Sequence, residues 1–263
     1  MTLLDNIKAL ILDMDGVLWR ENAPIGDLPA IFSHIRERGL KVACATNNAS
    51  RTVDEFLEKF ASFGVKLEPW QIVTSSLATA HRLEEEYPEG GTVFVVGENG
   101  IQRALEEKGF RIITDPEDDT AVDAVVAGID WHLTYPKLRR ATFHIRAGAA
   151  FYGTNPDKSF PTPQGLAPGA GSILAALEAA SDVKPLVIGK PEPFMMRLAL
   201  EKLVTHPDET LVVGDRLETD IAAGQAAGCK TALVLSGVTT HEQAELWSPA
   251  PDFIFDELSA ALE

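Results

Sequence analysis

Short apolar runs that stop at a charged or small residue alternate with amphipathic segments along this chain, and this alternation limits the fold more than any other feature. Ala9-Leu10-Ile11-Leu12 ends at Asp13 and reads as a strand buried on both faces of a parallel sheet. Asp27 to Arg38 carries apolar residues at 28, 31, 32 and 35, a helical spacing, and Gly39 suits the turn that ends it. Lys41 to Ala45 is the next strand, and Thr52-Val-Asp-Glu55 is a capping box opening a helix that ends near Gly64. The rhythm resumes late in the chain, with strands at Leu186–Ile188, Leu211–Val213 and Thr231–Leu235 and helices at Pro193–Leu203 and Asp220–Ala227. Repetition of this kind predicts an α/β fold, a doubly wound, Rossmann-like parallel sheet.

The middle of the chain carries its own copy of the rhythm. Thr92–Val96, Ile101–Glu107 and Phe110–Ile113 read as strand, helix, strand, and so do Val122–Ala127, Lys137–Ile145 and Ala150–Tyr152, with the acidic turn Asp115–Asp119 between them. A second α/β unit is therefore expected inside the first: residues 79–183 inserted into a core of 1–78 plus 184–263. The Gly- and Pro-rich stretch Phe160–Gly171 is expected to lead the chain back towards the core.

A length of 263 residues suits one large domain or two modest ones. Asp plus Glu is 39 against 23 Lys plus Arg, a net charge of -16 that argues against nucleic-acid binding. A small anionic substrate stays open, because a bound cation can make one pocket positive. Cys44 and Cys229 sit in apolar runs without zinc-type spacing and read as buried thiols in a reducing compartment. The start, MTLLDNIKALIL, is interrupted by Asp5 and Lys8 and is not a signal peptide, and no apolar run approaches membrane length, so the cytoplasm is the expected location.

Four places carry chemistry, each after an apolar strand. Asp13 and Asp15, with Gly16 to turn the backbone, put two carboxylates where a parallel sheet binds ligands; such a pair is costly unless a cation or a reaction uses it. Thr46 and Asn47 offer a hydroxyl and an amide to phosphate oxygens. Lys190 is a point countercharge. Asp215 and Asp220 add hard oxygen ligands of the type magnesium takes. Taken singly, a polar loop, a solvated lysine and a helix N-terminal acid are each adequate readings. Taken together, the four strand ends should lie on one edge of the sheet.

In this set the chain resembles the haloacid dehalogenase superfamily, whose four motifs match Asp13-Met-Asp15, Thr46, Lys190 and Gly214-Asp215 with Asp220. The stretches at 45–50, 153–157, 189–193 and 214–221 are similar to the NagD and p-nitrophenyl-phosphatase subfamily, with the inserted unit in the place of a type-two cap. The resemblance implies a Mg2+-dependent phosphatase. Asp13 would be the nucleophile and Asp15 the acid–base, and Thr46, Asn47 and Lys190 would hold phosphate. Asp13, Asp215 and the Asp15 carbonyl would ligate the metal, with Asp220 in support. The cap would choose the substrate. Asn155, Pro156 and Asp157, in a turn-prone run after a cap strand, are the candidates for leaving-group contact, and Arg216 for anchoring that part of the cap. A small phosphorylated metabolite is the expected partner, with neither nucleic acid nor membrane. Caps of this kind can pair, so a homodimer through the cap is a candidate assembly, which light scattering showing a monomer would dismiss. The acid at position 15 favours ester hydrolysis over carbon–halogen cleavage. A phosphotransferase or mutase sharing the aspartyl-phosphate step, and a non-catalytic binding protein on the same fold, are the alternatives.

Overall fold

The computed structural model describes residues 6–162 and 164–262. Met1–Asp5, the beginning of the N-terminal segment, lie outside the described residues, as does Pro163 within the Gly- and Pro-rich stretch. The chain divides into two compact units, one built from the residues up to Thr46, Val53–Val73 and those from Lys190 on, the other from Asn47–Thr52 and Thr74–Gly189. The second is wider than 79–183 at both ends and also takes in six residues after Thr46.

The first unit holds a six-stranded sheet in the order Phe253–Phe255, Lys230–Val234, Thr210–Gly214, Ala9–Leu12, Lys41–Thr46, Ile72–Thr74. The pairings from Phe253–Phe255 to Lys41–Thr46 are parallel. Ala9–Leu12 lies in the middle and is wholly buried, so only apolar residues suit it. The helix Leu28–Glu37 turns Leu28, Ile31, Phe32 and Ile35 inward; Asp27 Oδ1 caps it from the Ala30 N–H at 3.1 Å, and Gly39, with φ of +69°, ends it as expected. Phe56 and Phe60 of the helix Val53–Ser62 join the same core, each contributing about 1.5–3 kcal/mol through burial. Directly after the Asp13 segment a two-residue hairpin ladder forms, Trp19–Arg20 against Ala23–Pro24.

The second unit has a five-stranded parallel sheet in the order Leu186–Val187, Ala150–Gly153, Ala124–Ala127, Thr92–Val96, Arg111–Ile113. Its core gathers Phe94, Val96, Val125, Ile145, Phe151 and Leu177, under helices that include Tyr135–Arg146 and Ala170–Ser181. Two elements differ from what their sequence suggests. The strand before Lys190 does not extend the core sheet: Leu186 and Val187 pair with Tyr152 and Gly153. Two residues fix no sheet locally, and a partner in register decided it. The Phe160–Gly171 stretch is not a simple return path, because Ser159–Thr162 and Gly165–Pro168 form an antiparallel hairpin that runs into the helix Ala170–Ser181. Among the described residues, no helix is long and apolar enough to cross a membrane.

Candidate active site

Register brings three chemically loaded strand ends together in the first unit. Leu12 lies opposite Val213 on one side and Cys44 on the other, so Asp13, Thr46 and Asp215 leave the sheet at one edge. The Asp13 N–H donates to the Val213 carbonyl at 2.8 Å, extending the ladder by one residue and fixing where the carboxylate starts. Lys190 reaches the same place from outside the sheet. Its ammonium donates to Asp13 Oδ1, to Asp220 Oδ1 at 2.6 Å and to the Ala45 carbonyl at 3.3 Å. Asp220 is not in the first turn of an α-helix, as its neighbourhood predicted. It lies in a wider π-type turn, Leu217–Ile221, ahead of the short helix Ala222–Ala226, and such turns gather at functional sites. The turn folds Asp220 Oδ2 back to accept from the Arg216 N–H at 3.1 Å, which leaves Oδ1 for Lys190.

The electrostatics of this cluster are unbalanced. Asp13, Asp215, Asp220 and Lys190 are all buried, so three carboxyl groups face one ammonium away from water. Burial pushes the Asp13 carboxyl well above the usual carboxylate range; Lys190 opposes the shift, and Asp220 and Asp215 add to it. Burial, and then Asp220, raise Asp215 to about 6. Burial alone would lower the Lys190 ammonium, but Asp13 and Asp220 outweigh it and push the pKa up. Asp13, Asp215 and Asp220 each offer an oxygen within 4.8 Å of the others, and Asp215 Oδ1 is buried with no hydrogen-bond partner. An orphaned oxygen among excess negative charge is what a hard divalent cation would satisfy, so the donor set fits one.

The remaining predicted residues fall in two groups. Asp15 is exposed, and its Oδ1 accepts from the Trp19 indole N–H at 2.8 Å; Trp19 is fully buried against Phe60, with ring centroids 4.9 Å apart. Arg216 supplies its backbone to the Asp220 turn and, as a nearby cation, draws the Asp215 pKa down. Asn47 belongs to the second unit. Its carbonyl accepts from Ser75 Oγ and Asn155 Nδ2, each at 2.8 Å, and its side-chain amide donates to Asp157 Oδ2 at 3.3 Å. Asn155 Oδ1 in turn accepts from the Asp157 N–H at 3.2 Å, and Pro156 is the link between them. Trp19 and Ser75 escaped the sequence reading. A tryptophan four residues after an acid at a strand end is a signal for the first, and nothing local marks the second.

Models of known families match both parts of the chain. A haloacid dehalogenase-like hydrolase model covers residues 10–111, and a HAD-hydrolase-like model covers residues 187–261. The chain belongs to the haloacid dehalogenase-like hydrolases. Hydrolases of this family generally use a divalent metal, in keeping with the acidic cluster. The family likeness runs the length of the chain. An acid sugar phosphatase of Staphylococcus saprophyticus is 36% identical over 260 residues, covering 99% of this chain and 98% of its own. Among solved structures of the family, NagD from E. coli K-12 superposes with a TM-score of 0.88 at 34% identity, covering 96% of this chain and 97% of the other. The p-nitrophenyl phosphatase from Archaeoglobus fulgidus gives 0.90 at 32%, covering 97% and 98%.

Proposed function

We propose that this haloacid dehalogenase-like hydrolase is a phosphatase of small phosphate monoesters, sugar phosphates foremost, that works through an aspartyl-phosphate on Asp13 with Mg2+ as its metal. The observation that carries the reading is the buried grouping of Asp13, Lys190, Asp220 and Asp215 at one edge of the sheet. Full-length relatives named as acid sugar phosphatases and p-nitrophenyl phosphatases support the substrate class.

In this reading Asp13 attacks phosphorus and the ester oxygen leaves with a proton from Asp15. Water then attacks the acyl phosphate while Asp15 takes that water's proton, releasing inorganic phosphate and restoring Asp13. Trp19, donating to one oxygen of Asp15, leaves the other for the proton. Thr46 and Asn47 hold phosphate oxygens, and Lys190 offsets charge on Asp13 and on the transferring group. Asn155, Pro156 and Asp157 are the leaving-group contacts of this reading, and Asn155 and Asp157 hydrogen-bond Asn47. Asp13, Asp215 and the Asp15 carbonyl would hold the metal, with Asp220 in support. When bound, Mg2+ supplies positive charge that makes a second anion tolerable beside these carboxylates.

The test is phosphate release from a panel of sugar phosphates, nucleoside monophosphates and p-nitrophenyl phosphate, with Mg2+ or with chelator, for wild type and Asp13→Asn. Mg2+-dependent release that Asp13→Asn abolishes is expected. No release from any ester by folded, Mg2+-loaded protein would overturn the reading, and phosphate passing to an added alcohol instead of water would turn it into a phosphotransferase.

A further inference from the structure

Asp215 is gripped by a segment that belongs to none of the four motifs. After the strand Lys230–Val234 the chain runs through Ser236, Gly237, Val238 and Thr239. The Val238 N–H donates to Asp215 Oδ2 at 2.8 Å, and the Thr239 N–H donates to the Asp215 carbonyl at 3.3 Å. Gly237 lies so close over the carboxylate that a Cβ there would overlap it. With Oδ2 held in this way, Oδ1 is left buried and unpartnered in a carboxylate that stands with those of Asp13 and Asp220. The orientation of the unpartnered oxygen is therefore set by the loop.

Two contacts hold the loop. Ser236 Oγ, itself buried, donates to the Gly16 carbonyl at 2.7 Å. Arg20 donates to the Ser236 carbonyl from Nε at 2.8 Å and from a terminal nitrogen as well. Asp256 and Glu257 line the same open cavity of about 600 Å³, yet the guanidinium is spent on one backbone carbonyl. A forked donor on a single acceptor fixes the carbonyl's direction as well as its distance. Arg20 also sits in the hairpin that supplies Trp19 to Asp15, so adjacent residues of one short strand reach Asp15 and the Ser236 loop.

We propose that Arg20 is a positioning residue for the metal centre, fixing through Ser236 the loop that clasps Asp215. This rests on the reading of Asp215 as a cation ligand. Outer partners of metal ligands commonly change affinity tenfold or more, and Arg20 stands one contact further out.

The experiment measures Mn2+ binding to the full-length, substrate-free protein by the loss of the free-ion EPR signal, alongside thermal melting without metal. Arg20→Met is expected to raise the Mn2+ dissociation constant about five- to tenfold, and Arg20→Lys, which keeps one donor, to recover part of that loss. Arg36→Met, which removes an exposed arginine from the helix Leu28–Glu37, is expected to bind as wild type does. Wild-type affinity in Arg20→Met overturns the proposal, and so does an Arg20→Lys no better than Arg20→Met, because general packing would then explain the loss. Should Arg20→Met not fold, Ser236→Ala carries the test through the loop's other tie: a rise of about threefold supports the clasp and no change overturns it. Asp215→Asn separates the two readings. Binding lost there but kept in Arg20→Met sinks the clasp alone; binding kept in both sinks the clasp together with Asp215 as a ligand.

Discussion

The two parallel sheets have the same kind of interior and opposite strand ends. Ala9–Leu12 in the first unit and Ala124–Ala127 in the second are both fully buried apolar strands at sheet centres. In the first sheet the chain leaves such strands at Asp13 and Asp215, and a third strand closes on Thr46; in the second it leaves at Gly97, Gly128 and Thr154. The second unit's ends are filled by packing: Thr154 is fully buried, with its N–H donating to the Ala127 carbonyl at 2.9 Å. Apolar interiors stabilise both sheets alike, so they say nothing about chemistry. The difference lies in which unit keeps like charges buried together, a destabilising arrangement that persists where a ligand or a reaction uses it.

Three substitutions sharpen that contrast. The largest effect falls on rate: Asp13→Asn should lower kcat by about a thousandfold or more, read as phosphate release with saturating Mg2+, with the fold retained by circular dichroism. Next is Thr154→Asp, which gives the second sheet a fully buried strand-end acid of its own. Urea unfolding should show a loss of about 3 kcal/mol or more, with no new activity. A Thr154→Asp protein as stable as wild type would remove the distinction between the two sheets. Third, Asp215→Asn keeps an oxygen for the Val238 N–H and removes one of the mutually repelling charges. Its metal-free form should melt higher, by the equivalent of about 1 kcal/mol, while Mn2+ affinity falls steeply. A lower melting point would mean that the buried carboxylate is worth more to the fold than its neighbours suggest.

How much of this could be read beforehand follows the same division. The acids were legible because a carboxylate at the end of a buried strand has few structural uses, and Lys190 became meaningful beside them. The alternation was legible because buried parallel strands tolerate little but apolar residues. What could not be read were pairings decided at long range. Leu186–Val187 carries no mark of the sheet it joins, and its partners Tyr152 and Gly153 decided it. The residues 159–168 have the Pro and Gly content of a linker yet form a hairpin. The holders of the functional groups were hidden for the same reason. Val238 stands 23 residues from Asp215, and Ser236 stands 216 from Arg20. Asn155 stands 108 from Asn47. The buried acids advertise themselves by their cost, whereas the donors that hold them look like ordinary loop chemistry.

The smallest expected effect tests whether the second unit also keeps an ionisable group at a cost. His144, on the helix Tyr135–Arg146, is buried with its ring centroid 5.2 Å from that of Phe94, and its Nε2 has no hydrogen-bond partner. Burial, and then the nearby Arg140, hold its pKa below the ordinary 6.5, with Asp118 pulling weakly the other way. The unfolded chain therefore binds this proton more readily than the folded one. Stability from this group is complete above pH 6.5 and declines as the pH falls below 6.5 towards the depressed folded value. Between pH 7.5 and pH 5 the raised carboxyls of Asp13 and Asp215 gain stability as the pH falls, in wild type and in His144→Phe alike, so the histidine is read from the difference in urea unfolding: wild type should lose stability relative to His144→Phe, which keeps an aromatic ring against Phe94 without a proton to take up. An unchanged slope in His144→Phe would place the titrating group elsewhere. The acid cluster of the first unit would then be the principal buried charge whose cost the protein bears, and the two sheets would differ more sharply than their strand ends alone suggest.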